Sequence, residues 1–258
     1  MTLLQVEHAN KRFGGVHAVN DVSFGVEQSQ IFGLIGPNGA GKTTLFNLVS
    51  GFVVADSGSF VLDGRSLAGL SPDRRAAFGI ARTFQHVQLL GEASVVENVM
   101  VGCHLLGRAG LLGAIAQLPK QKREEEAFRD QAVKAMRRVG VDQYAEALPI
   151  NLSYGIQRRV ELARALAMNP RMLLLDEPAA GLNDAETTAL GRLIKEVRDD
   201  GVTVLLVEHA MPLVMSICDR IAVLDFGQMI AEGTPDEVRN DPKVIEAYLG
   251  GAVEDAHA

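Results

Sequence analysis

The chain has 258 residues, enough for one large domain or a core with a smaller subdomain, and 47% of them are hydrophobic against 22% charged, the balance of a soluble globular protein. A net charge of −7 with no basic tract argues against nucleic acid as a partner. Two cysteines, Cys103 and Cys218, give neither a metal spacing nor a disulfide framework and suit a reducing compartment.

The opening "MTLLQVEHANKRF" has no basic region followed by an apolar one, so no signal peptide is expected. No stretch reaches the about 18 uninterrupted apolar residues of a spanning helix, so work at a membrane would need a partner to supply the membrane part. Up to about residue 80 the chain reads as short strands broken by turns. "LLQVEH", "VSFGVE", "IFGLIG" and "GSFVLDG" are rich in Val, Ile, Leu and Phe and bounded by Gly, Asn and Asp. "KTTLFNLVS" follows as a helix that stops at Gly51. From residue 85 to about 168 helix is expected. "LLGRAGLLGAIAQLP" is ambiguous, and "KQKREEEAFRDQAVKAMRRVG" places Ala127, Phe128, Ala132, Met136 and Val139 at helical spacing. This predicts a solvated amphipathic helix, with a membrane or partner surface as the alternative.

Beyond Arg171 the pattern is strand, helix, strand: "RMLLLDEP", "AETTALGRLIKEVRDDG", "VTVLLVEH". Continuous apolar strands around an amphipathic helix predict buried parallel strands. "RIAVLDFGQMIAEG" reads as a hairpin, and the tail "GAVEDAHA" is expected to fray.

Between the third strand and its helix stands "GPNGAGKTT". Gly36, Pro37, Asn38, Gly39, Ala40, Gly41, Lys42 and Thr43, followed by Thr44, fit the phosphate-binding pattern G-x-x-x-x-G-K-[ST]. There backbone N–H groups and the helix dipole wrap phosphates, Lys42 reaches the terminal ones and the Thr43 hydroxyl ligates Mg²⁺. Side chains in place of the opening glycines would block the backbone from the phosphates. "RMLLLDEP" ends with Asp176 and Glu177 at the C-terminal edge of a buried strand, where ligands of open α/β sheets bind. Asp176 is expected to hold Mg²⁺, partly through water, and Glu177 to orient or deprotonate the attacking water.

"NLSYGIQRRVELARAL", standing before the acidic strand, resembles the signature of ABC-type ATPases. With "GPNGAGKTT", "RTFQHVQLL", "LLLDEP" and "LLVEHAM" it gives the full order of ABC motifs over essentially the whole chain. The resemblance implies an α/β P-loop NTPase with a mainly parallel core sheet, an antiparallel β-subdomain and an α-helical signature subdomain. It places the ATP-binding core in 1–85 and 169–250, the helical subdomain in 86–168 and a flexible tail in 251–258. Phe13 matches the residue on which adenine stacks, although a core phenylalanine would look the same. Gln85 matches the Q-loop glutamine that joins the Mg²⁺ shell and senses the transport subunit. Ser153, Tyr154 and Gly155 fall at positions that meet ATP held by the opposite subunit; a serine capping a helix would look alike locally. His209 matches the switch histidine, so Lys42, Glu177 and His209 form the implied catalytic set, with ATP and Mg²⁺ as cofactors.

Departures are Tyr154 for a glycine, Ile156 for a glutamine and Asn183 for an aspartate. They leave the catalytic set intact, so hydrolysis is expected. An ATP shared between one subunit's P-loop and another's signature implies a second ATPase subunit, in a homo- or heterodimer. It also implies separate permease subunits, a peripheral place on the cytoplasmic face of the inner membrane and, indirectly, a periplasmic solute-binding protein. "AAGLN", "LSYG", "VLDFGQMIAEGTPDEV", "DPKVIEAYLG" and the extended segment from about 102 to 138 are similar to ATP-binding subunits of branched-chain amino-acid importers. Urea and amide importers and the lipopolysaccharide-export ATPase share much of this pattern. A soluble non-transport ABC ATPase would carry a coiled-coil insertion or tandem cassettes, and a P-loop kinase or GTPase would lack the signature and, for GTP, carry an N-K-x-D motif. The sequence has the signature and shows neither the insertion, the tandem cassettes nor that motif.

Overall fold

The computed structural model describes residues 1–85, 87–104 and 119–254. Two long strands open the chain, β1 (Thr2–Phe13) and β2 (Val16–Glu27), antiparallel to each other around the Gly14–Gly15 turn. β3 (Ile31–Ile35) then leads through the glycine loop into α1 (Lys42–Ser50). β4 (Ser57–Leu62), β5 (Arg65–Ser66), α2 (Pro72–Ala77) and β6 (Ile80–Arg82) follow. The helical stretch holds α3 (Val95–His104), α4 (Pro119–Arg138) and α5 (Tyr154–Leu166). The chain returns through β7 (Met172–Asp176), α6 (Asp184–Asp199), β8 (Thr203–Val207) and α7 (Met211–Ile217). It closes with the hairpin β9 (Arg220–Asp225) and β10 (Gln228–Gly233), then α8 (Pro235–Arg239) and α9 (Pro242–Glu254).

The strands form two sheets. One is antiparallel, in the order β2-β1-β4-β5; the other runs β10-β9-β3-β8-β7-β6 and is parallel except for the β9–β10 hairpin. The apolar runs are continuous because the core strands are covered on both faces. Ile31, Ile35, Leu173, Leu175, Val204 and Leu206 face the helices α3 to α7. Their alternates Phe32, Leu34, Met172, Leu174, Leu205 and Val207 face α1 and the antiparallel sheet. Phe24 of β2 stacks on Phe32 of β3 with centroids 5.3 Å apart, tying the two sheets together. Each such large apolar side chain, fully buried, contributes about 1.5–3 kcal/mol.

Two expectations meet the structure differently, and some fall outside the described residues. The apolar stripe packs inward through Ala132 and Met136 of α4 and Val139 just after it, with Phe128 against the same cluster, while Ala127 is exposed. One residue before Phe128 lies about 100° around the helix, off the stripe. The last helix runs to Glu254, so the first four residues of the expected tail are helical; glycines at 250 and 251 cost about 1 kcal/mol each but do not stop an established helix. Residues 105–118 of the ambiguous apolar piece, 86 in the Q-loop and 255–258 of the tail lie outside the described residues.

The parallel strands end together. Asp176 pairs in register with Val207, and Leu34 with the same residue from the other side. Whatever follows β3, β7 and β8 is therefore gathered at one edge.

Candidate nucleotide site

The glycine loop leaves β3 at Gly36 and enters α1 at Gly41. Gly36 has φ +147°, and a Cβ there would come within 2.0 Å of the Leu224 carbonyl oxygen. At Gly41, φ +97°, it would meet the Ala18 carbonyl oxygen at 2.2 Å. The expectation that a side chain there would obstruct phosphates needs correction: at these two positions the obstacle is the chain's own backbone in β9 and β2. Gly39 fits the original reason better, since a Cβ there meets nothing within 4 Å. α1 begins with no side-chain cap and no acidic residue in its first turn, so its N-terminal N–H groups and dipole remain available to an anion.

Lys42 is 5% exposed, and its ammonium donates to the carbonyls of Gly36 at 2.7 Å and Pro37 at 2.8 Å. Burial pulls its pKa below the ordinary lysine value, against the charge of Glu177. A cavity of about 460 Å³ opens beside it, lined by residues 38–44, Glu177 and His209, with Val16, His17, Ala18 and Phe226 around the rim.

Two residues after the strand ends complete this edge. Glu177 sits at φ +46°, a conformation that costs a non-glycine residue about 1–3 kcal/mol and persists only when neighbours enforce it. Its N–H donates to the Val207 carbonyl at 2.8 Å, and Arg158 donates to its carbonyl at 3.4 Å. The carboxylate is thereby turned to accept from Gln85 Nε2 at 2.9 Å, and its other oxygen lies 2.9 Å from His209 Nε2. Lys42, Gln85, Glu177 and His209, separated by up to 167 positions in the chain, are brought to one edge. Asp176, 5% exposed, is engaged through Oδ2 by Arg82 at 2.9 Å. Burial raises its pKa, and the Arg82 charge opposes the rise.

Phe13 is not among the residues lining the cavity. It is 49% exposed, with Lys11 Nζ 5.4 Å from its ring centroid, and its cross-strand partner Val16 lines the rim. Ser153, Tyr154 and Gly155 do not line the cavity either. Ser153 occupies the N-cap position of α5 without a side-chain cap bond, so capping is not what its hydroxyl does in this chain. Tyr154 lies beneath the Arg158 guanidinium, 5.4 Å from the ring centroid, and against Gly181, where a Cβ would come within 3.1 Å of the ring. At Gly155 a Cβ would meet Glu186 Oε1 at 2.8 Å. Glu186 is itself held in a capping box with Asn183, which accepts from the Glu186 N–H at 2.9 Å. Asn and Asp cap equally well, so Asn183 preserves the loop that leads into α6. Ile156 packs on the helical-side core.

Three residues escaped the sequence reading. Arg82 donates to Asn47 at 2.6 Å, Ser50 at 2.8 Å and Asp176, and lies over the rings of Phe46, Phe52 and Phe84 at 4.8, 5.2 and 5.5 Å. Buried Arg158 reaches from the signature helix to the carbonyls of Phe84, at 2.7 Å, and Gln85. Glu208, 3% exposed, accepts from three backbone N–H groups. Arg82 and Glu208 stand as single charges beside apolar stretches, and Arg158, between Gln157 and Arg159, gives no such signal.

The family model for the ABC transporter matches residues 19–180, spanning the glycine loop, signature and acidic strand. The chain belongs to the ABC transporter family of ATP-binding proteins. A second model, for the branched-chain amino acid ATP-binding cassette transporter, matches residues 228–254. The chain is 46% identical over 251 residues to the high-affinity branched-chain amino acid transport ATP-binding protein LivG of Salmonella typhimurium, covering 97% of this chain and 98% of that one. It is 36% identical over 250 residues to the lipopolysaccharide export system ATP-binding protein LptB of Haemophilus influenzae, covering 97% and 98%. The crystal structure of the ADP conformation of an ATP-binding cassette of an ABC transporter superposes with a TM-score of 0.85 at 34% identity, covering 97% and 99%. As an ABC ATPase this chain binds nucleotide and hydrolyses ATP. Among the described residues no helix is long and apolar enough to cross a membrane.

Proposed function

We propose that this chain is the ATP-hydrolysing subunit of a membrane importer for branched-chain or other hydrophobic amino acids. The observation that carries the ATPase site is the placement of Glu177 between Gln85 and His209, each within 2.9 Å, beside the glycine loop. The match of residues 228–254 to the branched-chain cassette model supports the cargo.

In this reading residues 36–44 wrap the phosphates, Lys42 exchanges its two carbonyl partners for terminal phosphate oxygens, and Phe13 packs on the base from the rim. Thr43, Gln85 and Asp176 present a hydroxyl, an amide oxygen and a carboxylate, hard oxygen donors that fit Mg²⁺. Among the described residues no group of three or more His, Cys, Asp or Glu could hold a metal by itself, which suits an ion shared with nucleotide phosphates. When bound, Mg²⁺ would neutralise charge on the terminal phosphates. Glu177 accepts a proton from the attacking water, and His209 steadies the carboxylate and meets the terminal phosphate. Ser153, Tyr154 and Gly155 serve the nucleotide of a second ATPase subunit, identical or related. The core comprises 1–85 and 169–250, and 86–168 the helical subdomain. The ATPase sits peripherally on the cytoplasmic face of the inner membrane. There it drives permease subunits and, through them, takes solute from a periplasmic binding protein; nucleic acid is no partner.

The test is uptake of labelled leucine, with labelled urea alongside, in cells lacking the gene and restored with wild type or Glu177→Gln. Leucine uptake restored only by wild type is the expected result. Lost urea uptake with intact leucine uptake would replace the cargo, and no change in either would favour export, the role named for the 36% identical relative.

A further inference from the structure

Glu208 directly follows β8 and directly precedes His209, yet its carboxylate does not face the cavity. It is 3% exposed and turned inward, where one oxygen accepts from the Ala179 N–H at 2.8 Å. The other accepts from the His209 N–H at 2.7 Å and the Ala210 N–H at 3.2 Å. Ala179 belongs to the turn that begins at Glu177, where the Ala180 N–H donates to the Glu177 carbonyl at 3.1 Å. The same turn continues to Gly181, against which Tyr154 rests. One buried carboxylate thus clamps two loops that carry Glu177 and His209, and the contact between those side chains is 2.9 Å.

We infer that Glu208 is a positioning residue for ATP hydrolysis: it fixes the separation of Glu177 and His209 and passes displacement of the 177–182 turn to the histidine. The inference rests on the ATPase reading of this edge. A carboxylate suits the task because it accepts only, and all three neighbours are donors. The isosteric amide of Gln would aim an NH₂ at one loop and release it.

Purified protein, paired with its related ATPase subunit where the chain does not hydrolyse ATP alone, is assayed for ATP hydrolysis and, separately, for nucleotide affinity with a fluorescent ATP analogue. Glu208→Gln is expected to lower kcat roughly 10- to 100-fold, the effect of a displacement near 1 Å, with affinity within about threefold. In a His209→Ala background the same substitution is expected to change kcat by less than about twofold, because both act through one contact. A carboxylate that merely held the fold would lower kcat by the same factor in both backgrounds, and that outcome overturns the proposal. If Glu208→Gln does not fold, Glu208→Asp keeps the charge but is one methylene short of spanning both loops. It is expected to show the same fall in kcat at retained affinity, and wild-type kcat in it also overturns the proposal. Glu177→Gln is run alongside. Wild-type turnover in Glu177→Gln removes the reading on which the inference stands, whereas wild-type turnover in Glu208→Gln beside a silent Glu177→Gln overturns Glu208 alone.

Discussion

The strand edge and the start of the signature helix carry equally suggestive motifs but stand in different states. At the strand edge Lys42, Gln85, Glu177 and His209 already touch one another or a shared cavity within one chain. At the signature helix Ser153 makes no cap bond, and neither it nor Gly155 lines that cavity. The first region is held by strand register, which no solvent-exposed side chain can easily shift. The second rests on a helix end and a loop, braced by Tyr154 on Gly181 and by the Asn183–Glu186 capping box. On the proposed function, half of a hydrolytic site is assembled by folding within this chain, and the other half is completed by a second ATPase subunit. A site divided this way makes chemistry conditional on association, which is what coupling to a transporter demands.

The largest effect that would separate the halves is on turnover. Glu177→Gln is expected to cut kcat by about 10²- to 10⁴-fold, the usual share of a general base, while nucleotide affinity stays within about threefold. Steady-state ATPase and a binding titration check it together. Lys42→Ala acts one step earlier: its loss is expected to weaken ATP binding at least about 100-fold in an isolated chain by removing a charged donor from the phosphates. Ser153→Ala sharpens the contrast from the other side. It should leave the affinity of the isolated chain for ATP within about twofold while weakening ATP-dependent association about tenfold or more, as one hydrogen bond to a charged group is lost. A fall in isolated-chain affinity would place the serine in its own chain's site.

Arg82→Ala tests the frame beneath the strand edge. Removing one partner of a buried ion pair costs about 3–5 kcal/mol, and Asp176 would be left uncompensated; denaturant titration reads this loss. The smallest effect is chemical silence. Burial pushes the Cys103 thiol up to about 11 and the Cys218 thiol up to about 12. Neither thiolate forms to a useful extent at pH 8, so both should react with a thiol reagent only after denaturation.

Much of the strand edge was legible in the sequence because its elements obey local rules. "IFGLIG" and "RMLLLDEP" are short apolar runs closed by turn or acidic residues, and the glycine loop has a fixed spacing. The reasons behind some residues were not legible. Gly36 and Gly41 are required by carbonyls of Leu224 and Ala18, contacts over more than 20 and up to 188 positions that no local pattern reveals. Arg82, Arg158 and Glu208 were invisible for the same cause: each acts on backbone or buried groups from distant loops. Tyr154 read as a departure until Gly181 appeared beneath its ring.

The most direct measurement is the mass of Glu177→Gln in solution by sedimentation, with and without ATP and Mg²⁺. A divided site predicts monomer without nucleotide and a two-chain species, or pairing with a related subunit when that is supplied, with it. Bound ATP on a chain that remains monomeric in both settings would contradict it.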